Sequence, residues 1–285
     1  MIEAQTGAAV GRREERRGVV DALAADKLAA SLRANWPGAR EGEALPPLWH
    51  WAGFPDTPPQ SALGPDGHPR RGGFLPEEGP PRRMWAGGAL TFLQPLHVGE
   101  CLRRRSTIAS VTEKRGASGA LLFAAVEHEI FGESGLAVTE RRDIVYREAQ
   151  ERFTPPKAVP APQRPLLERR EPIDGVRLFR YSAALFNGHR IHYDLPYATE
   201  VERYPGLVTH GPLQAMLLMD LAISHHGAPP SRFEYRGVSP MFHFHDLALL
   251  AAEADADAGE SAIFLCTAHP EERYQGMQAT AVWAA

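Results

Sequence analysis

The sequence predicts an α+β protein made of two similar halves, each a single helix followed by an antiparallel meander of strands. Three observations predict it. Apolar residues recur at helical spacing over 20–36 and again over 211–224. Each of these stretches leads into segments that partly alternate apolar and polar residues, as half-buried strands do. A stretch rich in proline and charge, 151–175, separates the two.

Taken in order, residues 1–17 are small, polar and then charged, with no apolar core of the kind a secretory signal carries. Val20 to Trp36 reads as a helix through Leu23, Leu28 and Leu32, and Pro37-Gly38 ends it. From Leu45 to Arg83 the chain is irregular, with paired prolines at 46–47, 58–59 and 80–81 and a turn-like Gly64-Pro65-Asp66-Gly67. A segment this long and structureless is expected to be a lid or a binding segment. Its Trp49, Trp51 and Phe54 predict that it packs down onto the body. Strands are expected at 89–94, 101–113, 120–131 and 136–147, where Ala124/Val126/His128/Ile130 and Val138/Glu140/Arg142/Ile144 give the alternation. After the linker come an expected strand at 176–184, a histidine-rich loop, an apolar helix at 211–224, and strands at 231–238, 246–254, 261–268 and 277–284. The domains are thus 1–150 and 176–285, joined by 151–175.

Composition narrows the function. Hydrophobic residues are 44% and charged residues 23% of the 285, which suits a globular chain and not a disordered one. A net charge of −4 offers no reason to expect nucleic acid or an anionic membrane as partner. No apolar run nears the roughly 20 residues a membrane span needs, so a cytoplasmic protein is expected. Two distant cysteines, Cys101 and Cys266, support neither a disulfide framework nor a cysteine zinc site.

The densest chemistry lies in Phe186-Asn187-Gly188-His189-Arg190-Ile191-His192-Tyr193-Asp194 and, shortly after, in His210-Gly211 at the start of the apolar helix. A helix N-terminus presents unpaired N–H groups and a positive dipole end. Gly211 has no Cβ to keep a carbonyl from those donors. His192 is of the type that moves protons near neutral pH, and the Asn187 amide can hold a water molecule. Tyr193 and Asp194 suit orienting the loop. His189, His192 and His210 lack the spacing and the extra ligand of a zinc site, so no metal is expected. His243, His245 and Asp246 read as a solvated turn. Arg103-Arg104-Arg105 reads as the wet face of a strand, with a phosphate contact as the alternative.

With these residues in view, the chain resembles the MaoC-like dehydratases of the hotdog superfamily. These share an acidic residue and a histidine five positions apart, then a helix opening with His-Gly; here Asn187, His192 and His210-Gly211 take those places. It is most similar to the subgroup with the mitochondrial-type 3-hydroxyacyl-thioester dehydratase and the mesaconyl-C4-CoA and itaconyl-CoA hydratases. The matching segments are 186–194, Pro81-Arg82-Arg83-Met84-Trp85-Ala86-Gly87-Gly88 and Leu45-Pro46-Pro47-Leu48-Trp49-His50-Trp51.

The resemblance implies a double hotdog, two antiparallel sheets each wrapped on a central helix, with the halves paired like the protomers of a hotdog dimer. It implies catalysis in the C-terminal half and housing for the acyl-CoA tail in the N-terminal half. The implied activity is that of a hydro-lyase on a short branched or dicarboxylic enoyl-CoA, such as mesaconyl-C4-CoA or itaconyl-CoA, or on a 3-hydroxyacyl thioester in reverse. Gly211 would polarise the thioester carbonyl. Because Asn187 replaces the usual aspartate, acid–base work falls on His192 alone. His189, His210, Arg190, Arg83 and Trp85 are the candidate substrate contacts; Arg190 is the first choice for a substrate carboxylate, with pairing to Asp194 as its alternative. No cofactor is expected beyond the coenzyme A of the substrate, and a homodimer is the expected assembly. The rival readings are a hotdog thioesterase, which would need a carboxylate to activate water, and a non-catalytic acyl-CoA-binding subunit.

Overall fold

The computed structural model describes residues 4–5, 9–32, 36–116, 119–255 and 260–284. In chain order the elements are β1 (Ala4–Gln5), β2 (Arg13–Gly18), α1 (Ala22–Leu32), β3 (Arg82–Phe92), β4 (Leu102–Gly116), β5 (Gly119–Gly132), β6 (Gly135–Arg147), β7 (Leu167–Glu171), α2 (Gly175–Ala184), α3 (Gly211–His226), β8 (Arg232–Gly237), β9 (Leu247–Glu253), β10 (Glu260–Ala268) and β11 (Gln275–Ala284). The helix expected over 20–36 is α1, ending at Leu32; residues 33–35 of that expectation lie outside the described residues. No helix among the described residues is long and apolar enough to cross a membrane.

The sheets of the two halves are not separate. They join into one antiparallel sheet in the order β1-β4-β5-β6-β3-β8-β11-β10-β9-β7, with β2 also on β4. The join is β3 on β8, running from Gly87 opposite Arg236 to Thr91 opposite Arg232. Each half alone would leave one of these strands as an open edge, and pairing them satisfies both rows of backbone groups. The join is tight. A Cβ on Gly88 would lie 2.7 Å from the Tyr235 hydroxyl and 2.6 Å from the Arg141 carbonyl, so that position has room for glycine alone.

The centre of the C-terminal half is α3. Leu213 to Met219, Leu221 and Ala222 are all buried, leaving the helix no wet face over its middle turns. It packs against β8, β9, β10 and β11, starts with Pro212 in its first turn and stops at Gly227, whose φ of 85° closes a left-handed cap on the Ile223 carbonyl. The N-terminal half differs from the expected pattern of a sheet on its own helix. α1 packs on α2, α3 and the short 3₁₀ turn Trp49–Gly53. That turn lies against the sheet instead: Trp51 meets the rings of Trp85 on β3 and Tyr235 on β8, and its indole N–H donates to Glu140 on β6. The aromatics of the irregular segment are packed down as expected, with Trp49, Trp51 and Phe54 buried.

Two further expectations change. Residues 176–184, expected as a strand, are α2. Asp174 caps it by accepting from the Arg177 N–H at 2.7 Å, and the inward side chains Leu178, Tyr181 and Ser182 follow helical spacing. The exposed Val176 and Phe179 had lent the stretch its strand-like look. The linker 151–175 contains β7, which pairs with β9 at the far edge of the sheet. Arg177 also ties the halves together, donating to the carbonyls of Ser31 and Leu32 at the C-terminus of α1. On β4, Arg104 is buried beside Glu14, while Arg103 and Arg105 pair with Glu15 and lie over Phe131; only the outer two form an exposed face.

Beneath the N-terminal sheet lies a buried ionic group. Glu140, 2% exposed, meets Arg142 at 2.8 Å, Trp51 Nε1 at 3.2 Å and His50 Nε2 at 3.5 Å. Burial pushes its carboxyl up, but Arg142 and His50 more than offset this and hold it well below the ordinary range. Removing the cation would strand the anion in an apolar setting. Arg142→Met is therefore expected to destabilise the protein by about 3 kcal/mol or more, read as a lower urea midpoint; an unchanged midpoint would contradict the ionic account.

Candidate active site

The loop after α2 and the start of α3 come together at one place. Asn187 shapes the loop: its N–H donates to the Ser182 carbonyl at 2.7 Å, and its Oδ1 accepts from the His189 N–H at 3.0 Å. Phe186, just before it, has φ of 52°, a left-handed conformation that costs energy for a bulky residue and marks a loop held by its surroundings. A 3₁₀ turn, Arg190–His192, then delivers His192 inward. The Val208 N–H donates to the Ile191 carbonyl, and His192 Nδ1 faces the Val208 carbonyl at 2.7 Å. A carbonyl only accepts, so Nδ1 carries the proton and Nε2 keeps its lone pair.

His210 caps α3 and stacks on His192, with ring centroids 3.7 Å apart and planes 20° apart. Its Nε2 lies 2.8 Å from Ser182 Oγ, and its Nδ1 is buried without a hydrogen-bond partner. His189 stands edge-on to His192 at 5.2 Å. Gly211 follows His210; a Cβ there would meet nothing nearer than Met277 Cε at 3.8 Å. The donors of this helix start are those of Gly211 and Leu213, since Pro212 has no N–H.

The histidines expected from sequence are thus brought together, while Arg190 and Trp85 each have partners within the protein. Arg190 has several partners. It bonds Asp194 at 2.8 and 2.9 Å, donates to the Pro65 carbonyl at 2.9 Å and lies over Tyr197 at 4.1 Å. This is the bracing alternative; a substrate carboxylate would have to displace Asp194. Trp85 packs with Trp51, Tyr235 and the Arg142 guanidinium. Asn187 spends its amide oxygen on the turn, which leaves its NH₂ as the group for a water. Arg83 lies on β3 opposite Tyr146, within electrostatic reach of His68 and His189. Its neighbour Arg82 is tied to Glu202 at 2.6 Å, whereas Arg83 faces the Tyr146 hydroxyl and lies within electrostatic reach of Asp66.

Two residues were missed. Asp66 and His68, from the irregular segment, sit against the loop. His68 Nδ1 lies 2.9 Å from Asp66 Oδ2, and its ring is 4.0 Å from that of His189. The segment is clamped by backbone. The Arg190 N–H donates to the Asp66 carbonyl at 2.9 Å, and a Cβ on Gly67, whose φ is 86°, would overlap the Gly188 carbonyl. The only sequence signal was Gly64-Pro65-Asp66-Gly67, which reads as a turn. The donor atoms of Asp66, His68 and His189 lie within 4.8 Å of one another, a compactness that the residue spacing alone had not suggested.

Burial dominates the electrostatics. It pulls the His192 imidazole down to about 4, although the Val208 carbonyl pulls the other way. It holds His210 and His189 well below their ordinary value, helped by the neighbouring histidines, and lowers His68 against the opposing pull of Asp66. At neutral pH these imidazoles are uncharged, and His192 is in its base form.

The family model of hydroxyacyl-thioester dehydratase type 2 matches residues 48–243. The chain belongs to this family. It is 42% identical to the mesaconyl-C(4)-CoA hydratase of Chloroflexus aurantiacus over 252 residues, covering 88% of this chain and 90% of that one. Among solved structures it is similar to a MaoC-like dehydratase, with a TM-score of 0.72 at 15% identity over 98% and 99% of the two chains. It also matches a Mycobacterium tuberculosis protein described as having a double hotdog fold, with a TM-score of 0.61 at 13% identity over 96% of each chain. These two likenesses speak for the hotdog fold.

The buried neutral histidines have a consequence for stability. Their folded pKa values lie below the unfolded value near 6.5, so protons favour the unfolded chain. The stabilising contribution is full above about pH 6.5 and is lost as pH falls toward the folded values. The melting temperature is expected to hold steady above about pH 7 and to fall between about pH 6.5 and 5, before ordinary carboxylates titrate. A flat curve across that window would contradict neutral burial.

Proposed function

We propose that the chain is a hydro-lyase that adds water reversibly across the double bond of a short enoyl-CoA bearing a second carboxylate, of the mesaconyl-C4-CoA or itaconyl-CoA type. The observation that carries this reading is the pairing of His192 with the start of α3. A histidine fixed with its lone pair on Nε2 is stacked on the residue that precedes the helix donors. A base and an electrophilic N–H group side by side are what enoyl thioester hydration asks for. The family membership and the identity to the Chloroflexus hydratase support the same reading.

In the forward direction the Gly211 N–H polarises the thioester carbonyl. His192 Nε2 takes one proton from water, the water oxygen bonds the β-carbon, and the π electrons move toward the thioester oxygen. Return of that proton to the α-carbon completes the addition. As proposed, no metal and no redox cofactor takes part. Asn187 keeps the loop in shape and offers its NH₂ to the water. Arg83 meets the substrate carboxylate, which would cost several kcal/mol to bury alone. For the CoA phosphates, a cleft of about 520 Å³ lined by Arg16, Arg17, Pro55, Asp56, Thr57, Pro58 and Pro69 offers Arg17, since Arg16 is paired with Asp56 and Glu14.

Asp66 revives one rival, since a thioesterase needs a carboxylate near the thioester. Both Asp66 oxygens, however, face His68: Oδ2 its Nδ1 and Oδ1 its N–H. That leaves the carboxylate poorly placed to activate water.

The test is loss of the conjugated thioester absorbance when the protein is given mesaconyl-C4-CoA, itaconyl-CoA and crotonyl-CoA. Release of free CoA thiol with the acyl chain intact would establish the thioesterase instead. His192→Ala is expected to lower kcat by about 10²–10⁴ with little change in KM; activity within twofold of the wild type would remove His192 from the role of base. Arg83→Met is expected to lower kcat/KM for the carboxylated substrates by about 10-fold or more, as for a lost charge-assisted contact, and to spare crotonyl-CoA. Equal losses on all three substrates would show that Arg83 only holds the fold.

A further inference from the structure

The two halves repeat each other contact by contact. β2 pairs with β4 and β7 with β9, and a helix follows each, α1 or α2. The chain then makes one bridge to the sheet, Ala44 to His97 in the first half and Val208 to Phe242 in the second. The hydrogen bonds beside the bridge match as well. The Leu45 N–H donates to the Leu96 carbonyl and the Thr209 N–H to the Met241 carbonyl, both at 2.7 Å. The Val98 N–H donates to Glu43 and the His243 N–H to Leu207, both at 2.9 Å. Counted on from the bridge, Pro46-Pro47 take the place of His210-Gly211. Counted back from it along β3 and β8, Ala89 is the equivalent of Glu234, and these two lie opposite each other where the halves join. Strands that meet at equivalent residues are related by an approximate twofold axis, so what is built at one end of the join is built again at the other.

The catalytic cluster lies at the end where β3 starts, with Arg83, and β8 finishes, ahead of Met241. At the opposite end, where β3 finishes and β8 starts, there is a cleft of about 490 Å³. Its lining follows the repeat. Pro46 and Pro47 stand for His210 and Gly211, and Leu96 for Met241. Val138 is opposite Phe92 as Met277, the nearest neighbour of Gly211, is opposite Gly237. The other half of the chain contributes Ala228 to Ser231, as it contributes Asp66 and His68 to the catalytic cluster.

We propose that this cleft is a second, non-catalytic acyl site, which holds the uncharged aliphatic chain of an acyl thioester without reacting with it. Prolines at 46 and 47 have no N–H, so the donor that would polarise a thioester carbonyl is missing. The lining histidines are engaged elsewhere: His50 faces Glu140 at 3.5 Å, and His226 stacks on Trp283 at 4.1 Å. The walls are Leu45, Phe92, Leu96, Val138 and Trp283, and the lining has no lysine, arginine or carboxylate. A chain bearing a second carboxylate would be buried there without a partner, at a cost that excludes it. Prolines 46, 47, 95, 229 and 230 fix the backbone around the opening, so the cleft is preformed. The choice of a thioester rests on the hydratase reading of the cluster that the cleft repeats.

The experiment keeps the two readings apart. Octanoyl-CoA, which has no double bond to hydrate, is titrated calorimetrically into wild type, Ala44→Trp and Ala228→Trp. The catalytic site is kept full by mesaconyl-C4-CoA at equilibrium with its product, and octanoate is titrated in parallel. Both alanines are exposed in the cleft wall, one from each half of the chain, and neither belongs to the catalytic machinery. Wild type is expected to bind octanoyl-CoA under these conditions. Each indole fills part of the cleft and is expected to weaken that binding by about 10-fold or more, the equivalent of two methylenes left unburied. Hydration of mesaconyl-C4-CoA should keep its kcat/KM within twofold in both variants. Melting temperatures check folding; if neither variant folds, Leu93→Arg, which sets a charge at an exposed position of the wall, takes their place. Octanoyl-CoA binding that vanishes when the catalytic site is full, or that is equal in wild type and variants, would overturn the proposal and leave the hydratase reading standing. Binding of octanoate but not of octanoyl-CoA would overturn the thioester as the source of the chain. A wild type that binds octanoyl-CoA as expected but turns over no enoyl-CoA would overturn the hydratase reading alone.

Discussion

Helix α3 has no polar side to offer water over its middle turns, and the rest of the C-terminal half is arranged to cover it. The four strands β8 to β11 take one side. The rest of its cover includes α1, Tyr181 of α2, whose hydroxyl meets Met216, and His192 of the catalytic loop, stacked on the residue that caps the helix. Burying such a helix on all sides is worth many kcal/mol in removed apolar surface. The same burial places its first turn, with its unpaired N–H groups, in the interior. A helix start buried this way needs something to meet its donors, and a thioester carbonyl is of that kind.

That burial sets the chemistry of the histidines. An exposed imidazole titrates near neutrality, but one enclosed by other rings and apolar walls resists charge. His192 is therefore a base over the whole neutral range, though a weak one. Asp66 is held against the catalytic loop by glycine-on-glycine contact between Gly67 and Gly188, an approach that any side chain at position 67 would block.

The parts legible in the sequence were those with local signals. The apolar period of α3, the alternation of β4 to β6 and β9 to β11, and the density of His and Asn at 186–194 all lie in short windows. The failures have equally definite causes. In α2, Val176 and Phe179 stay exposed, so counting apolar residues gave the wrong period, although Asp174 was a visible cap. Glu140 and His128 lie on the buried face of their strands; alternation located that face but could not say that it held an ionic group. The segment at Asp66 carried a turn signal and nothing in its own composition that pointed to residues 187–192.

By itself, then, the sequence determined the element types over most of the chain, the family, and His189, His192 and His210 of the site, because periodicity, caps and motifs are properties of neighbouring residues. The tertiary structure alone decided the rest. It decided that the two sheets are one, because that depends on which edges meet. It decided that Arg190 braces the loop, because spacing left its role open and only the position of Asp194 and Pro65 in space settled its partners. It decided that the imidazoles are buried and pulled below their ordinary value, and that Asp66 and His68 of the irregular segment sit against the catalytic loop. Burial and charge balance are sums over everything within a few ångströms, and most of those neighbours are distant in sequence.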